Sequence, residues 1–496
     1  MRSNQYPARV DIIVGGGGPA GATIARLLSG LGFRVVIFEK RRFPRHQIGE
    51  SLTPRILPIL DFLDVRARIE AAGFLRMAGH TVCWGSERPR TSYYSEDHSR
   101  RGFQVWREDF DALLLQHARE GGAQVCEEHL VKKVQLHHSG VTVTTPHGQT
   151  QAAFFIDATG HAGTLARQQL RRRDPVFQTL AIASYWREAS GPPGIEFANT
   201  LLETYENGLV WSVPLHNGLR NVTLLIDWET GRRIRQSGLQ EFYLGELGKA
   251  SYIPRFLYGA HIAMPPRAFD ATWHTATNFS SDRFLLVGDA GMFIDPLSSE
   301  GVHKAMASAI TGAVVTNTIL QRPVMTSHAR QFYDESQHST YEAHYQQSVV
   351  YYREEIRWPD APFWRRRMGG RLRVPSSEFQ VPTPNPPVSG VVVSRLKVAP
   401  EVMITKHPVI EGPFVEMRDV VITPLHPRGI RFLDNICLPP LLKIVEQQKA
   451  LMRIIPAFLN SPEGKNCSPE AIRQILARLY QEGMLITTAP DETQSS

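Results

Sequence analysis

The stretch Asp11-Ile-Ile-Val-Gly-Gly-Gly-Gly-Pro-Ala-Gly21, followed by Val35-Val-Ile-Phe-Glu39, decides how this chain folds. Ile12 to Val14 is an unbroken apolar run, the pattern of a parallel strand buried on both faces. Gly16, Gly18 and Gly21 match the spacing G-x-G-x-x-G, and Ala22 to Leu31 continues as a helix. A second apolar run ends in Glu39, about 20 residues further on. Each position has a physical reason. Gly16 allows a tight turn, Gly18 lets a pyrophosphate approach the backbone, and Gly21 lets the helix pack against the strand. The helix N-terminus offers unpaired N–H groups and a positive dipole end to phosphates. Glu39 is placed to accept hydrogen bonds from a ribose. Strand, turn, helix, second strand and acid together predict a dinucleotide-binding unit rather than a glycine-rich turn without a ligand.

Three later segments say which dinucleotide. Phe284-Leu-Leu-Val-Gly-Asp-Ala290 is another buried strand ending in Gly288-Asp289, followed by Asp295-Pro296 and a helix from about Gly301. Asp289 can bind a ribose or ribityl hydroxyl, and the helix start can face the electron-rich edge of a flavin ring. Gln104-Val-Trp-Arg107 leads into a helix with Phe110, Leu113 and Leu114 turned inward. Phe154-Phe-Ile-Asp-Ala-Thr-Gly160 reads as a strand returning the chain to the first sheet. In this order, over about residues 10 to 310, the pieces resemble the FAD-dependent aromatic hydroxylase and halogenase superfamily. The resemblance implies an α/β fold: a Rossmann-like FAD-binding domain with an inserted antiparallel substrate sheet. It implies FAD contacts at Gly16, Gly18, Pro19, Ala20, Gly21, Glu39, Lys40, Arg45, Ser51, Arg107, Gly288, Asp289, Pro296, Gly301 and Val302.

Composition fits an ordinary globular enzyme. The 496 residues suffice for two or three domains, and 42% are apolar. Fifty-five Lys and Arg against 48 Asp and Glu leave a net charge of +7, spread along the chain. The densest basic cluster, Arg365-Arg-Arg-Met-Gly-Gly-Arg-Leu-Arg373, reads as a solvated face or a partner-docking surface, since no nucleic-acid-binding motif accompanies it. Cys83, Cys126, Cys437 and Cys467 have neither metal nor disulfide spacing, and the His residues, His161 and His303 among them, are scattered, so no metal site is expected. Met1 to Pro7 runs straight into the first strand, with no room for a signal peptide. No run of 18 apolar residues suggests a membrane span. A cytoplasmic location is expected.

By composition the chain divides into a core over 1–373, with the substrate sheet inserted at about 176–266, a Pro-rich linker at 374–389, and a C-terminal module at 390–496. Strand-like runs in the insert include Leu209-Val-Trp-Ser-Val213 and Arg220-Asn-Val-Thr-Leu-Leu-Ile226. The C-terminal module has strand-like runs at Lys397 to Ile404 and Phe414 to Ile422. A helix then opens with Ser468 as N-cap and Pro469 in its first turn, with Ile472, Ile475, Leu476 and Leu479 on one face. Gly483 stops it, and Met484 to Ile486 reads as a returning strand. This order suits either an α+β, winged-helix-like recognition module or a cap over the active site.

Other segments narrow the resemblance. His46-Gln-Ile-Gly-Glu-Ser-Leu52 resembles the G-E-S-L segment of flavin-dependent halogenases, which sits beside the flavin. Asp295-Pro-Leu-Ser-Ser-Glu-Gly-Val-His-Lys-Ala305 resembles their D-P-x-x-S-x-G-V segment, where backbone amides bind halide. Gly208-Leu-Val-Trp-Ser-Val-Pro214 is similar to their W-x-W-x-I-P motif, with Leu209 and Val213 substituted and Trp211 and Pro214 kept. Trp211 is then either a site aromatic or a core side chain. One departure is chemical. The halogenases carry an active-site Lys in the segment that here reads Phe74-Leu-Arg-Met-Ala-Gly-His-Thr-Val-Cys-Trp84-Gly85, where that position falls on Arg76 or Met77. There is no Lys between Lys40 and Lys132. Met can neither form a chloramine nor polarise hypohalous acid, and Arg stays protonated, a poor nucleophile that can still donate hydrogen bonds.

The leading expectation is therefore an FAD-dependent monooxygenase that uses a flavin C4a-hydroperoxide to hydroxylate an electron-rich aromatic ring. Glu50, Arg76, Trp211 and Glu300 are its candidate catalytic residues. Glu300 serves either as a general base or as a first-turn capping acid. The alternative is a halogenase acting on a free or carrier-bound arene; a third reading is a flavoprotein with oxidase, reductase or scaffold function. Ser298 to Lys304 and Tyr351 to Arg367 also resemble halogenase-like flavoproteins that modify a protein tryptophan during tryptophylquinone assembly, which would make the substrate a peptide. A single dinucleotide fingerprint is visible. FAD is then reduced either by NAD(P)H directly or through a partner flavin reductase.

Overall fold

A computed structural model describes residues 7–370 and 395–487; the 374–389 linker and the end of the basic cluster, residues 371–373, lie outside them. The described residues form two compact units, on either side of about residue 372.

In the first unit, Ile12–Gly15 is buried at every position. It lies at the centre of five parallel strands, in the order Phe284–Leu286, Phe154–Asp157, Ile12–Gly15, Val35–Phe38, Gln124–Cys126. Strands covered on both faces have no polar side, so they read as continuous apolar runs. The first helix spans Pro19–Gly30. It begins ahead of Ala22 because proline fits a first turn, where its missing N–H would have had no partner. Gly16 has φ of +99°, and a Cβ there would lie 2.4 Å from the Ala158 carbonyl oxygen. A Cβ on Gly21 would lie 1.9 Å from the Gly16 oxygen. The glycine turn is thus closed against two backbone segments, and Pro19–Gly30 packs on the helices Arg107–Glu120 and Gly301–Gln321.

The substrate sheet has seven strands: His261–Asp270, Thr179–Arg187, Leu219–Asp227, Gly208–Pro214, Thr200–Tyr205, Gly79–Cys83 and Arg90–Tyr93. Two of them come from ahead of the 176–266 insert, and the last strand of the insert runs on to Asp270. Gly79–Cys83 joins by parallel pairing with Thr200–Tyr205, and Arg90–Tyr93 is exposed throughout. A distant pairing and an all-exposed edge leave no local apolar signal to read. Side chains alternate between the faces of the sheet. Ile182, Val222, Leu224 and Ile226 pack with Phe242 and Tyr243 on one face. Ala181, Leu202, Leu209 and Leu225 pack with Tyr345, Tyr352 and Trp364 on the other.

The second unit places the hairpin Met403–Glu411/Phe414–Ile422 before the helices Leu438–Gln448, Leu451–Leu459 and Pro469–Gln481. Leu485–Thr487 returns to pair with Leu396–Val398. The Ser468 side chain accepts the Ala471 N–H, and Ile472, Ile475, Leu476 and Leu479 enter one apolar core with Leu441 and Phe458. Among the described residues no helix is long and apolar enough to cross a membrane, and no cluster of His, Cys, Asp or Glu is arranged to hold a metal.

Candidate active site

The glycine turn is built to receive a dinucleotide. Glu39, at the end of the second strand, is buried. Its Oε2 accepts the Gly17 N–H at 2.8 Å and its Oε1 the Arg41 N–H at 3.0 Å. Arg45 brings Nη2 within 3.1 Å of where a Cβ on Gly18 would stand. Its Nη1 lies 3.3 Å from Asp111 Oδ2 but is buried without a hydrogen bond. A guanidinium with an unsatisfied N–H against this turn suits a pyrophosphate oxygen. Pro19, Ala20, Gly288 and Val302 are buried scaffold around the turn and the second strand end, and Lys40 is exposed.

Asp289 is gripped at both ends. Its carbonyl oxygen contacts His274 Nε2 at 2.9 Å. Its Oδ1 accepts a hydrogen bond from the buried ammonium of Lys304 at 2.8 Å, and Lys304 also donates to the Met292 carbonyl. Burial, with the nearby Arg171 and His161, holds His274 down to about 3, so its ring is neutral. Asp289 remains partly exposed, with its Oδ2 oxygen not engaged by Lys304. These residues fit FAD: a turn for the pyrophosphate, an acid at each of two strand ends for hydroxyls, and a helix start for the ring.

Arg107 organises the neighbouring loop. It forms a bidentate pair with Asp111 (2.8 and 3.0 Å) and donates to the Ile48 carbonyl at 2.6 Å. The braced loop delivers Glu50 into the interior. Glu50 Oε1 accepts the Tyr185 hydroxyl at 2.5 Å and lies 3.4 Å from Asn221 Nδ2, and Oε2 accepts the Gly49 N–H at 2.9 Å. Burial raises the Glu50 carboxyl above the usual range, against the opposing pull of these hydrogen bonds and of Arg107. Tyr185 and Asn221 are cross-strand neighbours, so the sheet register assembles both partners of Glu50. Ser51 Oγ donates to Gln104 Oε1 at 2.8 Å.

Three residues beyond Glu50, the Thr53 hydroxyl donates to Glu300 Oε1 at 3.2 Å. Glu300 is the N-cap of Gly301–Gln321, and its Oε2 lies 2.9 Å from His303 Nδ1 and 3.5 Å from Arg55. Burial alone would raise the Glu300 carboxyl, but His303, Arg55 and Thr53 outweigh it and hold it below its ordinary value. Glu300 is therefore ionised at neutral pH. His344 nearby is held down to about 4 by burial and then by the positive Lys304. Gly301 is exposed, with open space where a side chain would begin. The turn before it is pinned by Asp295, whose Oδ2 accepts the Tyr352 hydroxyl at 2.8 Å and whose Oδ1 accepts the Leu297 N–H, which leaves Pro296 half-buried at the helix approach.

The structure thus brings Glu50 and Glu300 to opposite ends of one short segment. Arg76 is committed elsewhere: it pairs with Glu70 at 2.5 Å, donates to the Arg101 carbonyl and stacks 4.2 Å over Phe103. Met77 beside it is buried. Trp211 is half-buried between two apolar clusters on one sheet face. Thr53, Tyr185, Asn221, His303 and Lys304 escaped the reading of the sequence. His303 and Lys304 lie within a segment whose pattern was recognised; the other three have no local signal, because their partners are distant in sequence.

Fold and glycine turn together are those of an FAD-binding protein. A family model described as FAD binding domain matches residues 9–314. The chain belongs to this FAD-binding family. It is 34% identical over 340 residues to the tryptophan 2-halogenase of Chondromyces crocatus, an alignment covering 66% of this chain and 65% of that protein. The solved structure of CmlS, a flavin-dependent halogenase, has 26% sequence identity and a TM-score of 0.79 over 97% of this chain and 96% of its own. QhpG, a peptidyl tryptophan dihydroxylase, shares the fold (TM-score 0.67, 23% identity) over 96% of this chain and all of its own. The chain aligns with just under two thirds of the length of the tryptophan 2-halogenase.

Proposed function

We propose that this protein oxidises an electron-rich aromatic ring with FAD, and that its principal reaction is halogenation. The observation that carries this reading is the Thr53–Glu300 hydrogen bond, which joins the G-E-S-L-like and D-P-x-x-S-x-G-V-like segments at the open start of Gly301–Gln321. The kinship with halogenases supports halogenation over the hydroxylation that the substituted Lys position first suggests. Bound FAD, once reduced by NAD(P)H or by a partner flavin reductase, supplies the electrons that activate O2. The protein residues do the rest. The unpaired N–H groups at Gly301 and Val302 suit an anion. Ionised Glu300 can take a proton from a phenol or from the attacked ring carbon. The Glu50–Tyr185–Asn221 set holds the sheet against the flavin-side loop, and Trp211 offers an aromatic wall.

A second reading, hydroxylation of a free or peptide-borne ring, is favoured by one observation: Arg76, paired with Glu70, and buried Met77 occupy the positions at which the resemblance to halogenases places their Lys. One experiment separates the two. FAD-loaded protein is reduced anaerobically and mixed with O2 and indole, with and without bromide, and the products are read by mass spectrometry. Halogenation requires bromoindole that disappears in the variant Glu300→Gln. A hydroxylated indole formed at the same rate without halide replaces it with the second reading, and the absence of both products refutes both.

A further inference from the structure

A base that takes protons from a substrate must also lose them, and Glu300 is cut off from water. Its side chain is 8% exposed, and its Oε2 is buried without a hydrogen bond. Although it is the N-cap of Gly301–Gln321, its carboxylate does not bond the helix amides. It turns instead toward the Thr53 hydroxyl at 3.2 Å, His303 Nδ1 at 2.9 Å and Arg55 at 3.5 Å. The ring cation formed by electrophilic attack is a strong acid, so even a carboxylate held below its ordinary value can deprotonate it. Once protonated, Glu300 must pass the proton on before it can serve again.

The groups that face Glu300 come from four segments, and most of them cannot accept that proton. Arg55 stays protonated and Thr53 is a hydroxyl, so both can only hydrogen-bond at neutral pH. Tyr94 follows the edge strand Arg90–Tyr93; burial and then Glu300 push its hydroxyl up, so it already holds its proton. His344, on Thr326–Arg353, is held down to about 4 by burial and then by Lys304, too weak a base to keep a proton at neutral pH. Lys304 is a cation turned to Asp289 Oδ1 at 2.8 Å and to the Met292 carbonyl. His303 remains. Its Nδ1 lies 2.9 Å from Glu300 Oε2, and its side chain is 20% exposed, against 8% for Glu300. Imidazole is the side chain that both takes up and releases protons near neutral pH.

We propose that His303 is the proton relay of Glu300, taking the proton at Nδ1 and releasing one to water from its exposed side. The proposal rests on the reading of Glu300 as the base for the attacked ring. The electron pair of the breaking C–H bond returns to the ring and restores its aromaticity, while the proton forms a Glu300 O–H. That O–H breaks as the His303 Nδ1–H forms, and the imidazolium gives one proton to water or to a buffer base. Carboxylate and neutral imidazole are restored, with no oxidation or reduction of either. His303 acts through Glu300 and is a positioning residue rather than the group that deprotonates the ring.

The test uses the FAD-loaded full chain turning over indole in bromide buffer, with excess flavin reductase and NADH. His303→Gln keeps a hydrogen-bonding group beside Glu300 but carries no proton, and His303→Ala leaves room for free imidazole. Both variants should lower kcat at least about tenfold with KM for indole unchanged, the signature of a lost proton-transfer group. Free imidazole should restore kcat in His303→Ala with saturation, and the solvent deuterium effect on kcat should be larger in His303→Gln than in wild type. A readout without turnover is 13C-Glu NMR, with the signal assigned by its loss in Glu300→Gln. Burial raises the Glu300 carboxyl and His303 is the first of the groups that hold it down, so its titration midpoint should rise in His303→Gln. A kcat equal to wild type in both variants, a loss that imidazole does not restore, or an unmoved Glu300 midpoint overturns the relay alone. A wild type that forms neither brominated nor hydroxylated indole overturns the reading of Glu300 as the base, and the relay with it.

Discussion

Replacing Glu50 by Gln tests the claim that a buried carboxyl has been placed in the interior at a cost that depends on pH. In wild type its oxygens take the Tyr185 hydroxyl at 2.5 Å and the Gly49 N–H at 2.9 Å, with Asn221 at 3.4 Å. Gln keeps the oxygen facing Tyr185 and Asn221 but turns an NH2 toward Gly49, losing one hydrogen bond, about 0.5–1.5 kcal/mol. Against that loss stands ionisation. The folded-state pKa of Glu50 is raised above its unfolded value of 4.5. Below that value both states hold the proton and wild type carries no penalty. As pH rises, the unfolded chain releases its proton first, so wild-type stability falls by about 1.4 kcal/mol per pH unit until the folded pKa is passed. Gln has no such slope. The variant should therefore be slightly less stable than wild type near pH 4.5 and should gain on it as pH rises from the unfolded towards the folded pKa of Glu50, the difference levelling off above that. Urea midpoints of both proteins, loaded with FAD, measured from pH 5 to 8, give the difference directly, with the other titrating groups cancelling. A difference that is constant with pH, or a variant that loses ground as pH rises, would refute a raised Glu50 and mean that the carboxylate is ionised in the fold.

Gly21→Ala drives a methyl to 1.9 Å from the Gly16 carbonyl oxygen, so the turn must move. FAD affinity should fall at least ~100-fold, about 2.7 kcal/mol, by fluorescence titration, and an unchanged Kd would show that this turn does not cradle the cofactor. Lys304→Met removes the ammonium that holds Asp289. FAD affinity should fall about tenfold, and the flavin midpoint potential should become more negative, because a buried positive charge no longer favours the anionic reduced ring; an unmoved potential in a redox titration would leave Lys304 without influence on the flavin.

The dinucleotide unit was legible in the sequence because everything it needs lies within some thirty residues: an apolar strand, three spaced glycines, a helix and an acid at the next strand end. The GD segment and the helix at Gly301 were legible for the same reason, as was the Ser468 cap. Substrate-sheet membership was only partly so. Gly79–Cys83 pairs with a strand more than a hundred residues away, and no periodicity in either segment announces it.

Local sequence determined the strands, turns and helix starts, because backbone preference, glycine freedom and capping act over a few residues. The tertiary structure alone decided which charges meet. Tyr185 reaches Glu50 across 135 positions and Thr53 reaches Glu300 across 247, contacts set by strand register and loop bracing. It also decided which charges do not: Arg220 reads in the sequence as one arginine among many, and only the packing around it removes both water and any counter-charge. Burial depends on which segments come together from a distance, and so does the electrostatics that makes a carboxyl basic or an imidazole neutral.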